Sequence, residues 1–118
     1  MIESLKRGED FLMTKGEQVR DFLYVGDVVN ALILTAKNTS AYGETMNVCS
    51  GKGRTLSKLA ITVNTAMNTK AKIVLGAIPY RDNEVWEMIG DQSKIKNTIG
   101  FEPQISIDTG IEIVINHS

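Results

Sequence analysis

The apolar residues of this chain come in short runs, and single glycines and prolines fall between them. That punctuation limits the fold more than any one motif does. It suits a compact mixed domain of short elements, uninterrupted by a repeat, a low-complexity tract or a linker. The longest apolar stretches, Ala31 to Leu34 and Ile113 to Ile115, fall far short of the roughly 20 residues that a bilayer helix needs. The opening residues lack a signal-peptide layout, so a cytoplasmic location without a membrane partner is expected. At 118 residues there is room for one core in a single domain, 1–118. A cofactor-binding unit and a substrate lobe together would not fit.

Residues 1–8 read as the end of a helix, and Phe11 to Met13 as a strand. The tetrad Lys15-Gly16-Glu17-Gln18 then reads as a hairpin turn into a second strand, Val19 to Val25, which places Arg20 near that strand's start. Asp27 is positioned to cap a helix carrying Val28, Val29, Leu32, Ile33 and Ala36 at helical spacing. Glu44 to Cys49 reads as a short strand ending in the turn Ser50-Gly51-Lys52-Gly53. Thr55 can cap a helix through Leu56, Leu59, Ala60, Val63 and Met67, and Ala71 to Leu75 suggests another strand. Pro79 to Glu84 is irregular. Asp91 or Ser93 can cap a short helix through Ile95 and Ile99, with Gly100 as a left-handed stop. The tail is ambiguous: Ile107, Ile111, Val114 and Ile115 fit a helical face, yet residues 111–115 also alternate like a strand. Gly110 would cost a helix about 1 kcal/mol.

Charge and reactive residues exclude several functions. Lysine and arginine total 13 against 14 acidic residues, a net −1 with pI near 5.8, so there is no electrostatic footprint for nucleic acid or an anionic membrane. Any anion must be held by a few placed cations. One cysteine, Cys49, and one histidine, His117, cannot form a disulfide or a Cys/His metal cluster. Gly51 and Gly53 are followed by Leu56 where a dinucleotide fingerprint needs its third glycine. Met46 and Gly53 occupy positions that a P-loop reserves for glycine and for serine or threonine. The tyrosine and lysine that short-chain reductases set four apart are missing too: Tyr24, Tyr42 and Tyr80 are followed at that spacing by Val28, Met46 and Glu84. No catalytic, cofactor-binding or metal-binding residue is therefore expected.

Three ordered stretches resemble the latter third of the extended short-chain dehydrogenases that modify nucleotide sugars. The first is Gly16-x-x-x-Arg20-Asp21-Phe22-Leu23-Tyr24-Val25-x-Asp27, and the second is Met46-Asn47-Val48-Cys49-Ser50-Gly51-Lys52-Gly53. The third is Pro79-Tyr80-Arg81-x-x-Glu84, followed by Gly90-Asp91-x-Ser93-Lys94 and Gly100-Phe101-x-Pro103. Each is weak alone, but their order and spacing agree with the family over most of the chain. The resemblance implies an α/β fold: a small mixed lobe of short strands and about four helices, the C-terminal portion of such an enzyme without its Rossmann domain, with the tail helical. It also implies that the fingerprint glycines, the tyrosine-lysine pair and the bound NAD or NADP belong to a missing N-terminal domain, so the isolated chain would be inactive and prone to self-association.

In that family a nucleotide-diphospho-sugar binds between the two domains. The resemblance implies that Arg20 and Arg81 contact the diphosphate and that Glu84 accepts bonds from ribose hydroxyls. Guanidinium groups suit this role, because their paired donors match phosphate oxygens. Plainer readings stand beside these. Arg20 next to Asp21 also reads as a local ion pair, and Glu84 as a solvated loop charge. Tyr24 and Phe22 read as core, Lys52 as a solvent-facing charge, and Trp86 as either a wall of the nucleotide site or a contact for the missing domain. A stand-alone nucleotide-binding or regulatory module using the same arginines is the alternative function.

Overall fold

Helices carry most of the order in the computed structural model, which describes residues 1–118. They are α1 (Ile2–Lys6), α2 (Val25–Lys37), α3 (Leu56–Met67), α4 (Ser93–Ile99) and α5 (Ile107–His117), five where about four were expected. Helix α3 starts where the sequence places it: the Thr55 hydroxyl accepts the Lys58 backbone N–H at 3.2 Å. Helix α4 stops on Gly100 at φ 70°, a left-handed position that glycine adopts without strain. The ambiguous tail is helix α5, capped by the Ser106 hydroxyl on the Thr109 N–H at 3.1 Å. Its Gly110 is buried against Tyr24, and a Cβ there would sit 3.1 Å from the ring. The glycine's helix cost is thus offset by close packing between α5 and the chain leading into α2.

The strands depart further from expectation. They are only two or three residues long: β1 (Phe11–Leu12), β2 (Val19–Asp21), β3 (Gly53–Thr55), β4 (Ile73–Val74) and β5 (Glu87–Met88). The expected hairpin between β1 and β2 does not form. Instead β1 pairs in parallel with β4, while β2 lies between antiparallel β3 and parallel β5. Gly16 explains the failure, since its carbonyl accepts the Ser57 N–H at 2.9 Å and so ties the supposed turn to α3. The second strand ends at Asp21 rather than Val25, because α2 begins two residues before Asp27. Residues 44–49 enter no ladder.

Two small cores result. Leu5, Val63, Ala71 and Ile111 gather α1, α3 and α5, and Ala31, Ile95 and Phe101 gather α2 and α4. The molecule is a slab of 49 × 36 × 16 Å. Its radius of gyration of 16.8 Å exceeds the roughly 13.5 Å of a compact domain of this length. One face of α2 is uncovered: Val25, Val29, Leu32 and Ile33 are 63, 49, 61 and 47% exposed. No helix is long and apolar enough to cross a membrane.

Candidate functional site

Asp21 and Asp27 tie distant segments of the chain together, and neither does what the sequence suggests. Asp27 caps no helix start. It is 3% exposed and accepts the backbone N–H groups of Gln104 and Ile105, each at 3.0 Å, which fixes the segment entering α5 onto α2. Asp21 accepts the Ser50 N–H at 2.8 Å, the Ser50 hydroxyl at 2.6 Å, the Gly51 N–H at 2.9 Å and the Gly90 N–H at 3.2 Å. Burial pushes its carboxyl up, but the Ser50 hydroxyl and these backbone donors outweigh that and hold it below the usual range. The nearby Cys49 thiol is buried and pushed up, chiefly by desolvation and then by the Asp21 charge, which keeps it unreactive.

Asp21 is therefore not the ion-pair partner of Arg20. Arg20 reaches across to Glu84, with 3.4 Å between Nη2 and Oε1, and donates through Nη1 to its own strand at Val19 O, 2.8 Å. Both side chains are largely buried, so Glu84 is not a solvated loop charge. Directly across the antiparallel ladder from Arg20 stands Arg54. Like charges at such a pair repel. Each arginine has its own carboxylate: Arg54 holds Asp108, in the first turn of α5, through two bonds of 2.6 and 3.1 Å. That pairing keeps the Asp108 carboxyl below its ordinary range.

Glu84 also lines an apolar cavity of about 540 Å³, together with Arg81, Pro79, Phe11, Met13 and Leu59. Eight of its 13 lining residues are hydrophobic, which suits a flat, weakly polar ligand group. The loop bearing Arg81 is fastened by Tyr80, whose hydroxyl donates to Glu17 Oε2 at 2.8 Å and accepts the Glu17 N–H at 3.2 Å. Trp86 lies outside the cavity, edge-on to Tyr80 at 4.7 Å between ring centres and half exposed. Arg81 is exposed and in no ion pair, while Arg20 meets the same cavity through Glu84. The three candidate residues thus share one neighbourhood. No group of three or more His, Cys, Asp or Glu side chains is placed to share a metal ion.

A protein-family model described as GDP-mannose 4,6 dehydratase matches residues 1–114. The chain belongs to this family. Among curated relatives of the family, CDP-abequose synthase from Salmonella typhimurium is 36% identical over 104 residues, covering 84% of this chain and 34% of the relative. The Salmonella muenchen CDP-abequose synthase is 28% identical over 117 residues, 98% of this chain and 40% of the relative. The chain therefore spans well under half the length of the curated relatives it matches. The solved UDP-glucose 4-epimerase of Thermotoga maritima, crystallised with UDP-glucose, is similar with a TM-score of 0.87 and 30% identity, over 98% of this chain and 37% of that one. The UDP-N-acetylglucosamine 4-epimerase of Methanobrevibacter ruminantium M1 shares the fold, with a TM-score of 0.84 at 24% identity over 98% of this chain and 36% of its own.

Sequence reasoning missed Asp21, Asp27, the Tyr80–Glu17 clasp and the Arg54–Asp108 pair. Asp21 did lie within the matched string Arg20-Asp21-Phe22, a signal that could have singled it out. Asp27 and Tyr80 stand in matched strings as well, but their partners, like that of Arg54, lie 54 to 78 positions away, and no local pattern marks the pairing.

Proposed function

We propose that this chain is the nucleotide-binding lobe of an NAD-dependent nucleotide-diphospho-sugar epimerase, dehydratase or reductase. In this reading Arg20 and Arg81 clasp the diphosphate, Glu84 accepts bonds from the ribose hydroxyls, and the apolar cavity takes the base. The observation that carries it is the position of Glu84, which lines the apolar cavity beside Arg81 and is at the same time bonded to Arg20. A diphosphate offers Arg20 more acceptor oxygens than one carboxylate does, so on binding the guanidinium exchanges partner and frees Glu84 for hydroxyls. Each charge-assisted bond contributes about 1.5–3 kcal/mol.

No residue of this chain is assigned to catalysis. Bound NAD or NADP would supply hydride transfer in the parent enzyme, but the turn at Gly51 and Gly53 does not fit a dinucleotide fingerprint. The rest of the parent, its Rossmann domain included, is the expected partner.

Calorimetry and amide chemical shifts of the purified chain test the proposal, with UDP, CDP, GDP, dTDP and NAD as probes. At least one diphosphate should bind weakly, in the millimolar range, and shift amides near Arg20, Arg81 and Glu84. Arg81→Ala should weaken that binding about 10- to 100-fold, the loss of one charge-assisted contact. NAD should give no stoichiometric heat. Diphosphate binding indifferent to Arg81, or stoichiometric NAD binding, would defeat the proposal. Micromolar diphosphate affinity would instead favour a stand-alone nucleotide-binding module.

A further inference from the structure

Two polar side chains are buried in this fold, Asp27 and Gln18. The Asp27 carboxylate is engaged by two backbone donors, but the Gln18 amide is only half used. Gln18 stands just ahead of β2 and is 4% exposed. Its Oε1 accepts the Thr14 hydroxyl at 3.3 Å. That hydroxyl in turn accepts the Gly16 N–H at 3.1 Å, so its proton is directed at Gln18 and decides which way the amide faces. The main chain is anchored too, since the Gln18 carbonyl accepts the Leu56 N–H at 3.0 Å. Nε2, however, donates to nothing in the chain. It is not sealed either, because the unpartnered side-chain atom that water cannot reach is Oε1 of Gln92. A buried donor that is open and unpaired calls for an acceptor from outside the chain.

Gln18 lines the apolar cavity beside Arg81 and Glu84. Of the 13 lining residues, Thr14, Gln18, Arg81 and Glu84 alone have polar side chains. The Thr14 hydroxyl already makes two bonds, and the proposed function gives Arg81 to the diphosphate and Glu84 to the ribose. Gln18 remains for the base. We infer that Gln18 determines base specificity, its Nε2 donating to a ring carbonyl oxygen. This rests on the proposed nucleotide site and adds selectivity to it. With Oε1 turned to Thr14, the cavity meets the amide as a donor alone. Uracil, thymine, cytosine and guanine each present a carbonyl oxygen, and adenine has none. The adenine nitrogens N1 and N7 adjoin an amino group, so they bring a second donor against the amide NH2. A base without the carbonyl leaves Nε2 unpaired, which is the source of the discrimination.

Side-chain amide resonances of the intact chain read this bond directly, with UDP, ADP and inorganic pyrophosphate as probes. UDP should shift the Gln18 NH2 pair, pyrophosphate should leave it in place, and ADP should bind about tenfold more weakly than UDP. Gln18→Met keeps the side-chain length and removes the donor, so UDP should fall to the affinity of ADP while pyrophosphate binds as before. Gln18→Glu keeps an oxygen for Thr14 and removes the same donor, which covers a folding defect in the methionine variant; it too should bind UDP no better than ADP. If UDP and pyrophosphate bind through Arg81 but the preference for UDP survives both substitutions, or the Gln18 signals stay still, the inference fails and the diphosphate clasp stands. Equal binding of UDP and ADP to the unaltered chain would overturn it as well. If neither UDP nor pyrophosphate binds, the clasp falls and the role of Gln18 falls with it.

Discussion

Two carboxylates set how firmly the proposed binding surface is held. Asp27 is buried and its only bonded partners are two backbone N–H groups, so Asp27→Ala strands both donors in a site that water hardly reaches. The expected cost is about 2–5 kcal/mol, measured by urea unfolding. Asp21 acts through pH as well. Its carboxyl is held below the ordinary range in the folded chain, so its contribution is complete above the unfolded value and is lost as pH falls through the folded one. Asp21→Asn should therefore lose about 1–3 kcal/mol at neutral pH and flatten the acid limb of the stability profile. Parallel curves for the two proteins below pH 4 would contradict this. The sequence displays both aspartates but not their tasks. A carboxylate ahead of a helix reads as a cap until the chain folds Gln104 and Ile105 onto it.

At the scale of elements, helices were legible and strands only in part, for a physical reason. The runs expected at 11–13, 19–25 and 71–75 contain β1, β2 and β4, but residues 44–49 form none and β3 and β5 were not foreseen. A cap and an apolar stripe are local, so Thr55 with Leu59, Ala60 and Val63 announces α3 from within one stretch of chain. Ladders two or three residues long contain barely one alternation, and their partners are distant, as with Phe11 beside Ile73 and Val19 beside Glu87. Gly16 belongs to this scale as well. It lies at φ 72°, and an added Cβ would come within 2.6 Å of the Ser57 backbone nitrogen, so both its conformation and its contact require glycine. Gly16→Ala should cost more than about 2 kcal/mol and loosen the start of α3, seen as faster amide exchange at Ser57 and Lys58. Thr55→Ala, which removes only the cap, should cost about 1 kcal/mol and leave the 15–18 segment in place. Of the candidate site, the motif singles out Arg20, Arg81 and Glu84; that Arg20 bonds Glu84 was not legible, because the bond spans 64 positions.

For the molecule as a whole, the decisive quantity is surface. The chain exposes 7674 Å², against roughly 6,300 Å² for a compact monomer of 13.0 kDa. The excess exceeds the roughly 800 Å² that each partner contributes to a standard interface. One apolar part of that surface lies along α2, where Val25, Val29, Leu32 and Ile33 recur on one exposed face. An apolar stripe of that kind lowers its free energy by being covered, at about 25 cal/mol for each Å² removed from water. Purified alone, the chain should therefore self-associate, with a light-scattering mass that rises with concentration. Leu32→Glu places a charge in the middle of the stripe at a position 61% exposed, so it should restore the monomer without loss of helix content. A wild-type chain that stays monomeric at millimolar concentration would mean that α2 can stand bare in water, and the surface argument would fail with it.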